Sequence, residues 1–137
     1  MFAIDNEEYD IETEAGVMAM SGHLGLRSAG IGSLLAVLGA FPVAALVALV
    51  FRFPIPFTGY CSGLEAVLPS FVAVLFYGCI GGFPLLAVLG GVGGLAAFLI
   101  GRPDGKKTFP LTLGFALVVD LLATLTLAVL DKIIGPW

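Results

Sequence analysis

One residue stands out for its chemistry. Asp120 lies halfway along an apolar run, in Leu117-Val118-Val119-Asp120-Leu121-Leu122. A charged carboxylate at the centre of a membrane helix costs about 2.5–3.5 kcal/mol on insertion scales, so such a residue must face the protein interior or carry a proton. At helical spacing Thr124 lies one turn on and Ala116 one turn back, and Leu113 and Leu127 complete the same face. An Asp120–Thr124 pair is a candidate intramembrane polar site for a proton, a cation or a polar group on a neighbouring helix. The structural alternative is an interhelical hydrogen bond. No Arg, Lys or His lies in the apolar runs to pair with the acid. A lone acid makes a poor pathway in a monomer, and an oligomeric ring of Asp120 a better one.

The remaining reactive side chains form no constellation. His23 is the only histidine, which excludes paired-histidine haem ligation and a His-rich metal site. The two cysteines, Cys61 and Cys79, make neither a disulfide framework nor a metal-type spacing. Cys79, in an apolar run, is expected to be a small buried thiol. Ser62 and Glu65 have the S-x-x-E spacing of a capping box, which gives Glu65 a structural role. Gly90-Gly91-Val92-Gly93-Gly94 lacks the Lys-Ser/Thr that would make it a phosphate loop, and no Ser/His/Asp set assembles. The expectation is no enzyme, no catalytic residue, no cofactor and no metal.

The elements that must position Asp120 follow from composition. Of 137 residues, 59% are hydrophobic and 12% charged, with a mean hydropathy of +1.09. Soluble domains carry about twice that charge, and so few charges cannot cover a water-facing surface. The chain is therefore expected to be an all-α integral membrane protein, partnered first by the lipid bilayer. The six basic residues are too dispersed for nucleic acid. Six of the ten acids fall within the first fourteen residues, so residues 1–30 are expected to be an acidic, disordered tail with a Gly/Ser connector from Ser21 to Gly32. Ile4, Tyr9 and Ile11 are the candidate docking residues in that tail. Its start is acidic where a signal peptide needs positive charge.

The transmembrane domain is expected over 31–137 as a four-helix bundle, with helices at about 31–51, 64–80, 84–100 and 109–130. The first is uncharged and about 31 Å long, which matches the bilayer core. Residues 66–100 carry no charge. As one helix they would run about 52 Å, too long for tilt to absorb, so Gly81-Gly82-Phe83-Pro84 is taken as a tight turn. The alternative is three spans with a broken or re-entrant middle segment. In that case Pro69 opens a helix of only twelve residues, too short to span. Gly101 is expected to take a left-handed cap before a Pro103-Asp104-Gly105 turn, and Thr108 to cap the last helix.

Four spans would put the 52–63 and 101–108 loops together in the cytoplasm, whereas three would put the N-terminus inside and the C-terminus outside. Gly32, Ala36, Ala40, Ala44 and Ala48 form a ridge of small residues on the first helix, and Gly90 and Gly94 a G-x-x-x-G on the third. Such faces let backbones approach closely, either within the chain or in a homo-oligomer or membrane-protein partner. The leading functional expectation is a non-enzymatic structural or interaction component of a membrane complex. A small transporter or channel using Asp120 comes next, and a holin-like pore former third. The composition resembles that of small bacterial membrane proteins, which points to a multi-pass protein of a bacterial inner membrane and to no particular function.

Overall fold

The computed structural model describes residues 6–57, 59–101 and 105–134. For residues 6–15, 17–19, 105, 131 and 134 it describes the backbone alone. The chain is mostly helical, and three helical stretches are long and apolar enough to cross a membrane: Met20–Val50, Leu64–Gly101 and Thr108–Leu130. The expected four-helix count is therefore corrected to three.

The first helix, α1, runs from Asn6 to Val50. The expected connector over Ser21–Gly32 is helical, and the helix starts well before Ile31. Packing explains this. Gly25 lies within 3.5 Å of Leu95 and Phe98 when a Cβ is placed on it, and the Ser28 hydroxyl donates to the Gly94 carbonyl at 2.8 Å. These contacts with a neighbouring helix outweigh the weak helix propensity of glycine and serine, which amounts to about 1 kcal/mol per glycine. Forty-five residues rise about 68 Å, more than twice a bilayer core, so the N-terminal part projects beyond it. Ile4 lies outside the described residues, as do the side chains of Tyr9 and Ile11.

After α1 comes a short antiparallel hairpin, β1 (Phe53–Ile55) and β2 (Gly59–Cys61), with Pro54 opposite Tyr60. Phe53 is fully buried. The Arg52 guanidinium carbon, just before β1, lies 3.4 Å from the centroid of the Tyr60 ring, a cation–π contact suited to the headgroup region. The capping box at Ser62 and Glu65 does not form. Gly63 precedes a short 3-10 turn, Leu64–Ala66, without a side-chain cap, and Glu65 is exposed.

The middle crossing is broken. α2 covers Val67–Tyr77, with Pro69 in its first turn, where a missing N–H costs nothing. A wide π-type turn, Gly78–Gly82, follows, then α3, Phe83–Gly101. Gly81 sits at φ 146°, which only glycine adopts readily, and this residue breaks the helix. The break makes a kink within one crossing, not a hairpin between two spans. α2 packs on the C-terminal half of α1 and α3 on its N-terminal half. The Phe41 ring lies 6.1 Å from the Phe71 ring and 6.3 Å from the Phe83 ring. The rings that flank the break thus meet one residue of α1 from either side of it. The kink takes up the excess length that ruled out a single straight helix.

Gly101 ends α3 without a left-handed φ. Its role is close approach, because a Cβ there would lie 3.2 Å from the backbone of Thr108. Thr108 opens the last helix, α4, Thr108–Ile134. Pro103 and Asp104 of the expected turn, and the closing Gly135-Pro136-Trp137, lie outside the described residues. With three crossings, the hairpin at 53–61 and the turn at Gly105–Lys107 lie at opposite ends of the bundle. This corrects their expected placement on one side.

Candidate functional site

The core is built from small residues. On α1, Gly32, Ala36, Ala40, Ala44 and Ala48 are all buried, as are Gly90 and Gly94 on α3. These ridges face each other within the chain. A Cβ on Gly32 would strike the Gly90 carbonyl oxygen, and a Cβ on Gly90 would strike that of Gly32. The hydrogens that glycine carries there instead meet the opposite carbonyl, the geometry of weak Cα–H···O contacts. A second side-chain bond, from the Ser33 hydroxyl to the Ala87 carbonyl at 2.6 Å, ties the same pair of helices.

On α4 the buried ridge is Thr112, Ala116, Asp120, Thr124 and Ala128, each four residues from the next. The expected companions behave differently: Leu113 is exposed and Leu127 half-buried. Four-residue spacing puts the ridge on one stripe, and its short side chains let α4 lie close to α1. Asp120 is the middle member of the ridge and is fully buried. A Cβ on Gly39 would overlap its Oδ2 and lie 3.5 Å from its Cγ, so the carboxyl rests directly on the Gly39 backbone. Gly39 was not among the sequence candidates, since it stands one position off the alanine ridge. The available signal was a glycine in the middle of an apolar span.

The expected Asp120–Thr124 pair is not formed through the carboxyl. The Thr124 hydroxyl donates to the Asp120 backbone carbonyl at 2.8 Å and to that of Leu121 at 3.1 Å. Thr112 and Thr126 likewise donate within their own helix, to Thr108 and Leu122. Both carboxyl oxygens of Asp120 are buried without a hydrogen-bond partner among the described residues. Buried polar groups are almost always paired, and a carboxyl left without donors loses more than a neutral group would.

Asp120 also lines a cavity of about 650 Å³ between the break and α4. Gly78, Gly82 and Phe83 of the broken crossing form one wall, and Val119, Ala123 and Thr124 of α4 another. Phe41, two residues after Gly39, packs on Phe83, so the acid and the break share a level. Pro42 lies there too, inside α1, where it leaves the Leu38 carbonyl without its helical donor. Irregular backbone at membrane depth is tolerated only where protein or a cavity covers it.

Elsewhere the chain offers little chemistry. Cys79 is exposed on the outer surface of the break, contrary to the buried thiol expected, and Cys61 is half-buried in the hairpin. The Gly78 and Gly82 pair makes local contacts, with the Phe83 ring and the Tyr77 carbonyl. No group of three or more metal-type side chains occurs among the described residues. Compared with models of protein families, with curated proteins and with solved structures, the chain matches none.

Proposed function

We propose that this chain is a small transporter or channel, without enzymatic activity, whose working group is the carboxyl of Asp120. In this reading the carboxyl takes up a proton or a small cation inside the bilayer. The supporting observation is the full burial of both oxygens with no hydrogen-bond partner among the described residues. An intramembrane acid is expensive, and one that contributes no hydrogen bond to the fold has no structural return to offset that expense. The break at Gly78–Gly82 adds support, because discontinuous helices near mid-membrane recur at transport sites.

The leading expectation from the sequence, a structural or interaction component of a membrane complex, drew on the small-residue ridges. Those ridges are occupied inside the chain, so a homo-oligomer or a larger complex would have to form through the outward apolar faces. For orientation, Arg27, Lys106 and Lys107 belong to one end of a three-crossing chain, and Arg52 and Lys132 to the other. In this reading the bias favours the cytoplasmic side for the start of α1 and the Gly105–Lys107 turn.

Proteoliposomes under an imposed potassium diffusion potential test the reading, with a trapped pH dye for protons and a sodium dye for cations. Asp120→Asn is expected to lower the protein-dependent flux by about tenfold or more. A flux equal to that of the unsubstituted chain, or no flux above empty vesicles for either ion, refutes it.

A further inference from the structure

We propose that the cavity beside Asp120 is a binding site for a hydrophobic amine that enters from the lipid. The proposal rests on the reading of Asp120 as the working group and names the class of molecule that meets it. The cavity, about 650 Å³, falls in the range of small-molecule sites. Its walls are apolar almost throughout. Ile80, Leu85 and Leu122 form its rim and are themselves exposed on the outer surface of the bundle, by 71%, 60% and 60%. The mouth therefore opens onto the face that lipid covers, not toward either aqueous end.

The acid on α4 selects the ligand's charge. The hydroxyls of Thr124 and Thr126 direct their hydrogens to carbonyls of their own helix. The Thr124 and Thr126 hydroxyls thus offer the cavity lone pairs only, and the Asp120 carboxyl, held against Gly39 beside it, has no partner for either oxygen among the described residues. A carboxylate or a phosphate would set its own charge against that of the acid, whatever the Tyr77 phenol on the broken crossing could donate. An ammonium brings both the donors and the charge that the acid lacks, and an apolar body fills the rest of the space. Engaging it requires the Asp120 side chain to turn from Gly39 toward the cavity that its own residue lines.

The test uses the full chain in nanodiscs of uncharged phosphatidylcholine, with 1-pyrenemethylamine as the probe and 1-methylpyrene as its neutral counterpart. Saturable binding of the amine above its partition into empty discs is expected, at least about tenfold weaker for Asp120→Asn, as befits loss of a charge-assisted hydrogen bond. Ala123→Leu, which narrows the cavity and keeps the acid, is expected to weaken binding as well. Circular dichroism confirms that each variant keeps its helix content. If Asp120→Asn does not fold, the comparison of the two probes on the unsubstituted chain decides alone. Equal saturable binding of both probes would mean a groove for acyl chains and overturns the proposal, as does partition no greater than into empty discs. Asp120-dependent ion flux without amine binding overturns this proposal and leaves the transport reading standing. Amine binding without Asp120-dependent flux does the reverse.

Discussion

Gly39 and Asp120 offer a direct test of the buried carboxyl, because one methyl group decides between two outcomes. In the native chain, Gly39→Ala would bring its Cβ into overlap with the Asp120 Oδ2. Two effects of opposite sign then compete. Alanine gains about 1 kcal/mol over glycine within a helix, whereas overpacking a close-fitted site costs about 1–3 kcal/mol. The carboxyl is a short side chain and can turn, which favours the lower part of that range. It is also fully buried, so turning it disturbs other contacts. The expected net result is a loss of about 0–1 kcal/mol. In an Asp120→Ala background the obstruction is gone, and Gly39→Ala should stabilise by about 1 kcal/mol. The double-mutant cycle therefore carries a coupling of about 1–2 kcal/mol. The assay is reversible unfolding in mixed micelles of dodecylmaltoside and increasing SDS, followed by circular dichroism. If the two substitutions add to within about 0.5 kcal/mol, the carboxyl does not rest on Gly39, and the account of the site fails at its first contact.

Two further predictions concern the architecture. Gly81→Ala forces a Cβ onto φ 146° in open space, and by the same unfolding assay it should cost about 1–2 kcal/mol. A neutral or stabilising effect would mean that the break does not need its glycine. Three crossings put Cys61 and a cysteine introduced at Lys106 on opposite sides of the membrane. A membrane-impermeant maleimide applied to sealed right-side-out vesicles, with Cys79→Ser as background, should label Cys61 and spare Lys106→Cys. Labelling of both from one side restores the four-span topology.

The chain announced its environment and its single anomalous side chain, and it hid how the middle crossing runs. Low charge and long apolar stretches follow from lipid as solvent, so membrane helices and the outlier Asp120 were legible in composition alone. The ridges at Gly32–Ala48 and at Gly90 and Gly94 were legible too, because backbone approach needs small residues at a fixed period. Which ridge meets which was not, since small faces match equally well within a chain and between chains. The middle segment misled for a related reason. Gly81-Gly82-Phe83-Pro84 carries the punctuation of a turn, and a turn and a kink use the same residues. What separates them is whether the flanking helices pack on each other or successively along α1, a tertiary fact. The Ser21–Gly32 stretch went astray through propensity. Its glycines and serines serve the contact with α3, and burial there overrides the local preference.

The coincidence of three features at one depth bears on how the site works. Pro42 removes a helical hydrogen bond from α1, Gly81 breaks the middle crossing, and Asp120 places an unpartnered acid on α4. Each alone is a local weakness in a bilayer, where a freed backbone carbonyl or a bare carboxyl has no water to meet it. All three lie near the level of Gly39–Phe41, since Gly39 touches Asp120 and Phe41 touches Phe83. Away from that level, toward the 101–107 end, α1 and α3 are locked by backbone contact at Gly32, Gly90 and Gly94 and by two serine bonds. The bundle is thus tight at that end and interrupted in the middle. Motion that opens a path to the carboxyl therefore has its softest route through the Gly78–Gly82 turn, with α2 moving relative to α3 while the α1–α3 contact holds. Local openings follow the least-supported segment, so amide exchange at Cys79–Phe83 should be fastest within the middle crossing. Exchange there as slow as at Gly90–Gly94 would show that the break is rigid, and the proposed proton or cation would then need another way to Asp120.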